Sequence, residues 1–541
     1  MAEQRAIAGT DQAATPPPSL LARIFAPMVV LSAMLVLARI ALFDWQTLKF
    51  SPDSWAYYEL AKSLREGDYA LNHLRSFQAA GRYSAAFPPG FPALWALVDI
   101  ISGAGARSGL VINLFVMAAI GWLCERLTRQ MTGLRWAGLA LAVLLFQFPG
   151  FYDEIVAGRS IPLTVALILA AFALIVGREA PRPAHAALAG IAIGLTLLLR
   201  FDMLPFALCI LAWIVLAFAS RRNAVALAFA TGLLAVWLPW IALSLKLYGR
   251  PFASDSSWVA MTADASAFVT DWYPAGALPL TAREAPALFM GKVWGNLMQL
   301  PGALIGAPGA IVFALVLFLL AVHVLARKQL YSTPRLPTLW AARAAPPLAA
   351  AAFTLAALSL IPANVLTGYL DTRYFSFLWL CLLGWLVLPA LRLSTVRAPV
   401  LWGLALASLG NGAIGLFLAR LQLGAMADAE LTASPVATPR QIAACQKLLP
   451  ANRNRALVLD DTRAAALAAE QGLKTSMVPM NFRQDRLAWR DKVAFLDSYG
   501  IGLIVDSPLT QAPDIMPAEW LQPAPSVCGP QTYVRRQKPR P

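Results

Sequence analysis

From residue 21 to about residue 421 the chain alternates between long apolar runs and short polar breaks. A helix needs roughly 20 apolar residues to cross a bilayer. About eleven runs are predicted to do so: Leu21–Phe43, Gly109–Leu123, Trp136–Phe148, Ile161–Val176, Ala186–Leu199, Leu204–Phe218, Ala224–Leu247, Leu304–Leu325, Leu348–Leu366, Phe375–Leu391 and Val400–Leu421. The first break differs from the rest, because it lasts from residue 44 to residue 108. A loop that long needs structure of its own, and such loops tend to carry function. Within it Ser51 can cap a helix whose first position is Pro52, with Asp53 in the first turn. Tyr57, Leu60, Ala61 and Leu64 fall at i, i+3, i+4 and i+7, which predicts an apolar face resting on the membrane surface. Phe91–Ile101 is too short for a span and precedes Gly103-Ala104-Gly105, so it is predicted as a second juxtamembrane helix. Ahead of it Pro88-Pro89 stiffens the chain, Gly90 permits close packing, and Phe87 and Phe91 are expected to rest in the lipid interface.

The two ends of the chain read differently from its middle. Residues 1–20 are polar, rich in Ala and Pro, and lack a small-residue cleavage site after an apolar core. They are expected to be a disordered cytoplasmic tail before a retained span. From about Ala425 the composition becomes that of a soluble domain. Gln441–Leu449, Arg463–Gln471 and Leu487–Tyr499 are predicted helices, and Ala456–Asp460 and Ile501–Asp506 predicted buried strands. The expected fold is therefore mainly α. A polytopic domain spans 21–424, juxtamembrane helices sit in its first outer loop, and a small α/β domain follows at 425–541.

Composition fixes the class. Of 541 residues, 59% are hydrophobic and only 13% charged, about half the charged share of a soluble domain. The net charge of +15 does not come from one basic run, so nucleic-acid binding is not expected. Lys and Arg instead cluster between apolar runs, at Arg126 and Arg129, Arg178 and Arg182, Arg221-Arg222, Arg327-Lys328, and Arg392 and Arg397. The positive-inside rule then puts those breaks in the cytoplasm, the N-terminus inside and the C-terminal domain outside. Cys124, Cys209 and Cys381 lie in or beside apolar runs as small buried hydrophobes. Cys445 and Cys528 bracket the outer domain and are expected to form a disulfide. With three His and no CxxC, a tightly held protein-ligated zinc is not expected, and no residue is assigned to a metal.

That topology gathers polar groups from distant parts of the chain on one side: Asp53, Arg82, Tyr83, Asp153, Glu154, Arg159, Arg200, Asp202, Asp371, Arg373 and Tyr374. Arginine grips phosphate through a planar fork, and a carboxylate can take a proton from an attacking hydroxyl. Any one of these residues is equally consistent with an interfacial anchor, and Asp53 with a charge that complements its helix dipole. Their combination is what points to chemistry.

Three stretches carry a resemblance. They are Pro52-Asp53 with Tyr57-Tyr58 after the first span, Arg82 through Phe87-Pro88-Pro89-Gly90-Phe91, and Asp371-Thr372-Arg373-Tyr374 at the start of a late span. In this order over residues 20–420 they resemble the GT-C superfamily of polyprenyl-phosphate-sugar glycosyltransferases, nearest to the protein mannosyltransferase, aminoarabinose transferase and rhizobial lipopolysaccharide transferase branch. The resemblance implies a multi-pass protein of the bacterial inner membrane with a periplasmic active site. Its partners would be a lipid-linked sugar donor, a glycan, lipid or protein acceptor bearing a hydroxyl, and membrane lipid. It implies Asp53 as catalytic base or acceptor-orienting carboxylate, and Asp153 or Glu154 as a second acid. Arg373 and Tyr374, with Arg82, Tyr57, Arg200 and Arg159, would form the substrate-binding set. No Asp-Asp or Asp-Glu pair stands beside Asp53, so a divalent cation stays open rather than assigned. A transporter or flippase of a lipid-linked glycan, or a non-catalytic envelope assembly protein, are the alternatives. The first would need polar residues deep in its spans, and few are present.

Overall fold

The computed structural model describes residues 20–45, 49–69, 87–175, 182–217, 222–251, 253–267, 271, 279–326, 361, 364–368, 370, 372–432, 455–458, 474–477, 488–498, 501–505, 521–523 and 532–535. The predicted disulfide, the helices at 441–449 and 463–471, and Arg82, Tyr83 and Asp371 lie outside them.

The chain is a mainly helical, multi-pass membrane protein. Helix α1 (Leu20–Arg39) ends in a π-turn, Ile40–Asp44. The first outer loop holds α2 (Pro52–Arg65) and α3 (Gly90–Ser102). There follow α4 (Ser108–Thr132), α5 (Ala137–Phe146), α6 (Pro149–Val156), α7 (Ile161–Ile175), α8 (Pro183–Leu199), α9 (Leu204–Ala217) and α10 (Arg222–Tyr248). Next come α11 (Asp255–Met261), α12 (Pro286–Gly306), α13 (Gly309–Leu325), α14 (Thr372–Arg392) and α15 (Ser394–Thr432). Among the described residues five helices are long and apolar enough to cross a membrane. Two bent pairs each carry one more predicted span: α5 with α6 at 78°, and α12 with α13 at 84°. Predicted spans at 161–176, 186–199 and 204–218 are helices of 15, 17 and 14 residues, short of the roughly 20 a straight crossing needs. Most of the run at 348–366 lies outside the described residues. Many large apolar side chains stand exposed on these helices, among them Met34, Ile101, Phe115, Leu227 and Leu325, as expected where the solvent is lipid.

The structure corrects several boundaries. The segment from Glu125 to Arg129 is the end of α4 and not a turn; the helix runs on until Gly133, at φ 74°, closes it. Lys292, which lies between the predicted spans 224–247 and 304–325, is buried in α12, where its ammonium donates to the Val259 and Thr262 carbonyls at 2.8 and 3.1 Å. The apolar face of α2 does not lie open for the membrane. Tyr57, Leu60 and Ala61 are buried within the protein, because α3 folds back over α2. Phe87 and Phe91 likewise leave the lipid interface, each setting its ring 5.0 Å from that of Tyr57. Aromatic edge contacts of this kind contribute about 0.5–1.5 kcal/mol beyond burial.

In the C-terminal region β1 (Arg455–Val458), β2 (Lys474–Met477), α16 (Trp489–Ser498), β3 (Ile501–Val505), β4 (Leu521–Pro523) and β5 (Thr532–Arg535) form one sheet, order β2-β1-β3-β5-β4, with α16 packed on β3. β1 pairs parallel with β2 and β3, whereas β5 runs antiparallel to β3 and β4. Both predicted strands and the helix between them are present. β2, β4 and β5 were not predicted, since they are short and interrupted by polar residues or Pro.

Candidate functional site

Helix α2 begins as its sequence dictates. Ser51 has extended backbone, its hydroxyl accepts from the Ser54 amide, and Ser54 returns the bond to the Ser51 amide. Pro52 takes the first helical position, where a missing N–H costs nothing. The Ser54 hydroxyl also donates to the Ala157 carbonyl, locking this helix start onto the end of α6. Asp53 is thereby held over three elements at once. Its carboxylate accepts from Arg373 at 2.9 Å and lies 3.8 Å from Arg159.

Glu154 and Arg159 come from α6 and the turn after it. Glu154 has a side chain only 2% exposed, and one of its oxygens meets Arg159 at 2.9 Å and Arg373 at 3.3 Å. The turn requires Gly158, at φ 65° and with its Cα against Gly109, where a Cβ would meet backbone at 2.8 Å. Gly150 does the same at the other end of α6. A Cβ there would fall 2.5 Å from the Arg373 nitrogen, so only glycine lets α6 and the first turn of α14 touch. This contact brings Arg373 to Glu154 across more than two hundred residues of chain.

Arg373 also donates to the Tyr374 hydroxyl at 2.9 Å, and the guanidinium groups of Arg200 and Arg373 lie 5.0 and 4.8 Å from the Tyr374 ring centroid. Such cation–π contacts hold two like charges near one another. Tyr57 supports the site from below, its hydroxyl 3.0 Å from that of Ser160. Burial, reinforced by the nearby Asp53 charge, pushes the Tyr57 hydroxyl well above its ordinary pKa, so it keeps its proton. Arg200, Arg373, Tyr374, Asn364 and Thr164 line a slot together with Ile161, Val165, Ile168, Met203, Phe206 and Phe377. The slot's volume is about 30 Å³, room for a water or two.

Among the predicted site residues, Asp53, Glu154, Arg159, Arg200, Arg373, Tyr374 and Tyr57 are thus brought together. Asp153 is not. It pairs instead with Lys49 at 2.6 Å, both side chains about half exposed. Asn113 was not singled out from the sequence. It is fully buried in α4, and its amide faces the Glu154, Ile155 and Arg159 carbonyls at 3.0, 3.2 and 3.1 Å. An Asn inside an apolar span was the available signal, since polar groups are expensive there. Among the described residues no three His, Cys, Asp or Glu side chains converge as metal ligands, and the carboxylates of Asp53 and Glu154 face guanidinium groups. That donor set does not suit a divalent cation.

No protein-family model matches the sequence, and no curated protein matches it either. The structure is similar to ArnT from Cupriavidus metallidurans bound to undecaprenyl phosphate, with a TM-score of 0.51 and 13% identity over 94% of this chain and 97% of that one. AglB of Archaeoglobus fulgidus, an archaeal oligosaccharyltransferase in complex with an inhibitory peptide and a dolichol-phosphate, is similar over 89% of this chain and 69% of its own, at 14% identity and a TM-score of 0.49. The likeness to ArnT extends nearly end to end in both chains and is one of fold: this chain has the GT-C fold.

Proposed function

We propose that this protein is an inverting glycosyltransferase that moves a sugar from a polyprenyl-phosphate donor to a hydroxyl acceptor at the periplasmic face of the bacterial inner membrane. One observation carries the reading. Asp53, Glu154, Arg159 and Arg373 converge from three segments beside a slot lined by two arginines and by apolar side chains. Arg373 bridges the two carboxylates and, with Arg200, packs against the Tyr374 ring, so two guanidinium groups border the slot. ArnT, of the same fold, was solved bound to undecaprenyl phosphate, a ligand that is both anionic and apolar.

The donor phosphate rests on Arg373 and Arg200, and its prenyl chain enters between Ile161, Val165, Ile168, Phe206 and Phe377. Since the slot is closed to about 30 Å³, α7, α9 and α14 must part to admit it. The acceptor oxygen attacks the anomeric carbon, a new C–O bond forms, and the bond to the phosphate oxygen breaks with its electron pair leaving on polyprenyl phosphate. Arg373 and Arg200 stabilise that charge, and Asp53 takes the acceptor's proton. Glu154 holds Arg159 and Arg373 in place. In a flippase the spans would offer a polar path. Here the buried polar side chains of Asn113, Lys292 and Asn296 donate to backbone carbonyls.

The test is release of polyprenyl phosphate from a panel of lipid-linked sugars by the purified protein in proteoliposomes, with the anomer of the product read by NMR. Turnover with inversion that disappears in Asp53→Asn is expected. Movement of the intact donor across the bilayer without bond cleavage would overturn the proposal in favour of transport.

A further inference from the structure

Helix α4 presents a second feature, at its far end from Asn113. Arg126 and Arg129 lie 13 and 16 residues beyond Asn113, roughly 20–24 Å along a continuous helix, so they sit across the bilayer from the candidate active site. There a half-open surface groove of about 350 Å³ is lined by Trp122, Glu125, Arg126, Arg129 and Gln130, all on α4. The Arg126 guanidinium lies 5.3 Å from the Trp122 ring centroid, which orients it. Neither arginine has a carboxylate partner among the described residues. Glu125 spends one oxygen on the Trp136 amide at 3.0 Å, and two guanidinium groups against its single charge leave the wall net positive. Below the groove the same face continues as an exposed apolar stripe. Phe115 and Trp122 are 74% and 59% exposed, and the exposed Ala118 and Ala119 between them leave a trough.

We infer that this is a binding site for an anionic phospholipid of the leaflet opposite the active site. The lipid phosphate sits against Arg126 and Arg129, the glycerol region on Trp122, and an acyl chain in the trough between Trp122 and Phe115. A continuous stripe that passes from apolar to cationic matches a lipid along its length, whereas a soluble anion uses only the cationic end. Two basic residues at a membrane surface correspond to roughly a 30-fold preference for an anionic lipid.

The full-length protein in detergent is titrated with dioleoyl phosphatidylglycerol, dioleoyl phosphatidylcholine or inorganic phosphate, following thermal unfolding and bound lipid by native mass spectrometry. Phosphatidylglycerol is expected to raise Tm saturably, with phosphatidylcholine and inorganic phosphate much weaker. Arg126→Gln with Arg129→Gln should weaken phosphatidylglycerol binding about 30-fold. If that variant is not monodisperse, Ala118→Trp, which fills the trough and keeps both charges, is titrated instead and should weaken binding at least tenfold. Equal responses to the two lipids, equal protection by inorganic phosphate, or unchanged affinity in the variant tested would each overturn the assignment.

Discussion

The eight residues of α6 carry two ionic clusters, one on each side. On one side Glu154 meets Arg159 and Arg373, with Asp53 above them. On the other the Tyr152 hydroxyl donates to Asp44, and the Arg39 guanidinium lies 3.8 Å from the Tyr152 ring centroid. Both clusters are largely buried and both join distant segments, yet their access differs. The Tyr152 side matches one acid with one cation and one hydroxyl, and its two charges cancel. On the Glu154 side two carboxylates meet two arginines, but its Asp is still 28% exposed and a slot lies beside it. A closed cluster holds α1 against α6; one with an opening beside it is suited to a charged ligand. The π-turn at Ile40–Asp44 belongs to this division, since the extra residue per turn re-aims Asp44 toward Tyr152.

If that division is right, Asp53→Asn should produce the largest effect. It keeps the shape of the side chain and removes the proton acceptor, so kcat should fall about 10³-fold or more while expression and Tm hold. Normal turnover of lipid-linked sugar in the purified variant would make Asp53 structural, like Asp44. Arg373→Lys should follow, with a loss of about 10²-fold in kcat/KM. Lysine keeps the charge, but it cannot span Asp53, Glu154 and Tyr374 with one planar group. An unchanged dependence on donor concentration would make Arg373 a strut.

Tyr152→Phe reverses the pattern. The Asp44 carboxylate loses a buried donor, which costs about 1–3 kcal/mol of stability. Activity at a temperature where the variant is folded should remain within a fewfold of wild type. A drop in Tm with kcat retained supports the contrast. Loss of turnover without loss of stability would show that the two sides of α6 act as one unit.

Much of this was legible in the chain. Asp53 and Arg373 stood out because a cap, a Pro and an Arg-Tyr pair surround them, and local chemistry of that kind survives into three dimensions. The spans were visible as apolar runs, though their lengths were not, because a bend such as that between Phe146 and Pro149 depends on which partners each half finds. The burial of α2 was hidden for a related reason. An apolar face at helical spacing looks the same whether lipid or α3 covers it. The choice between Asp153 and Glu154 was beyond the sequence altogether. Neighbours on a helix point about 100° apart, and only the packing of α14 against Gly150 decides which of them meets an arginine.

Asp153→Asn is therefore the smallest expected effect and the sharpest control. Its carboxylate and the Lys49 ammonium are 2.6 Å apart, but they are 46% and 53% exposed, and water screens most of what they gain. Exposed pairs of this kind contribute about 0–1 kcal/mol. The variant should shift Tm by no more than a degree or two and leave kcat within about twofold of wild type. Glu154→Gln, one residue on, removes a charge from beneath two guanidinium groups and should lower kcat by at least tenfold. The two variants share a helix turn and differ in the arginines they touch. Equal activities would mean that proximity to Arg159 and Arg373 confers nothing on Glu154, and the site would have to be redrawn around Asp53 alone.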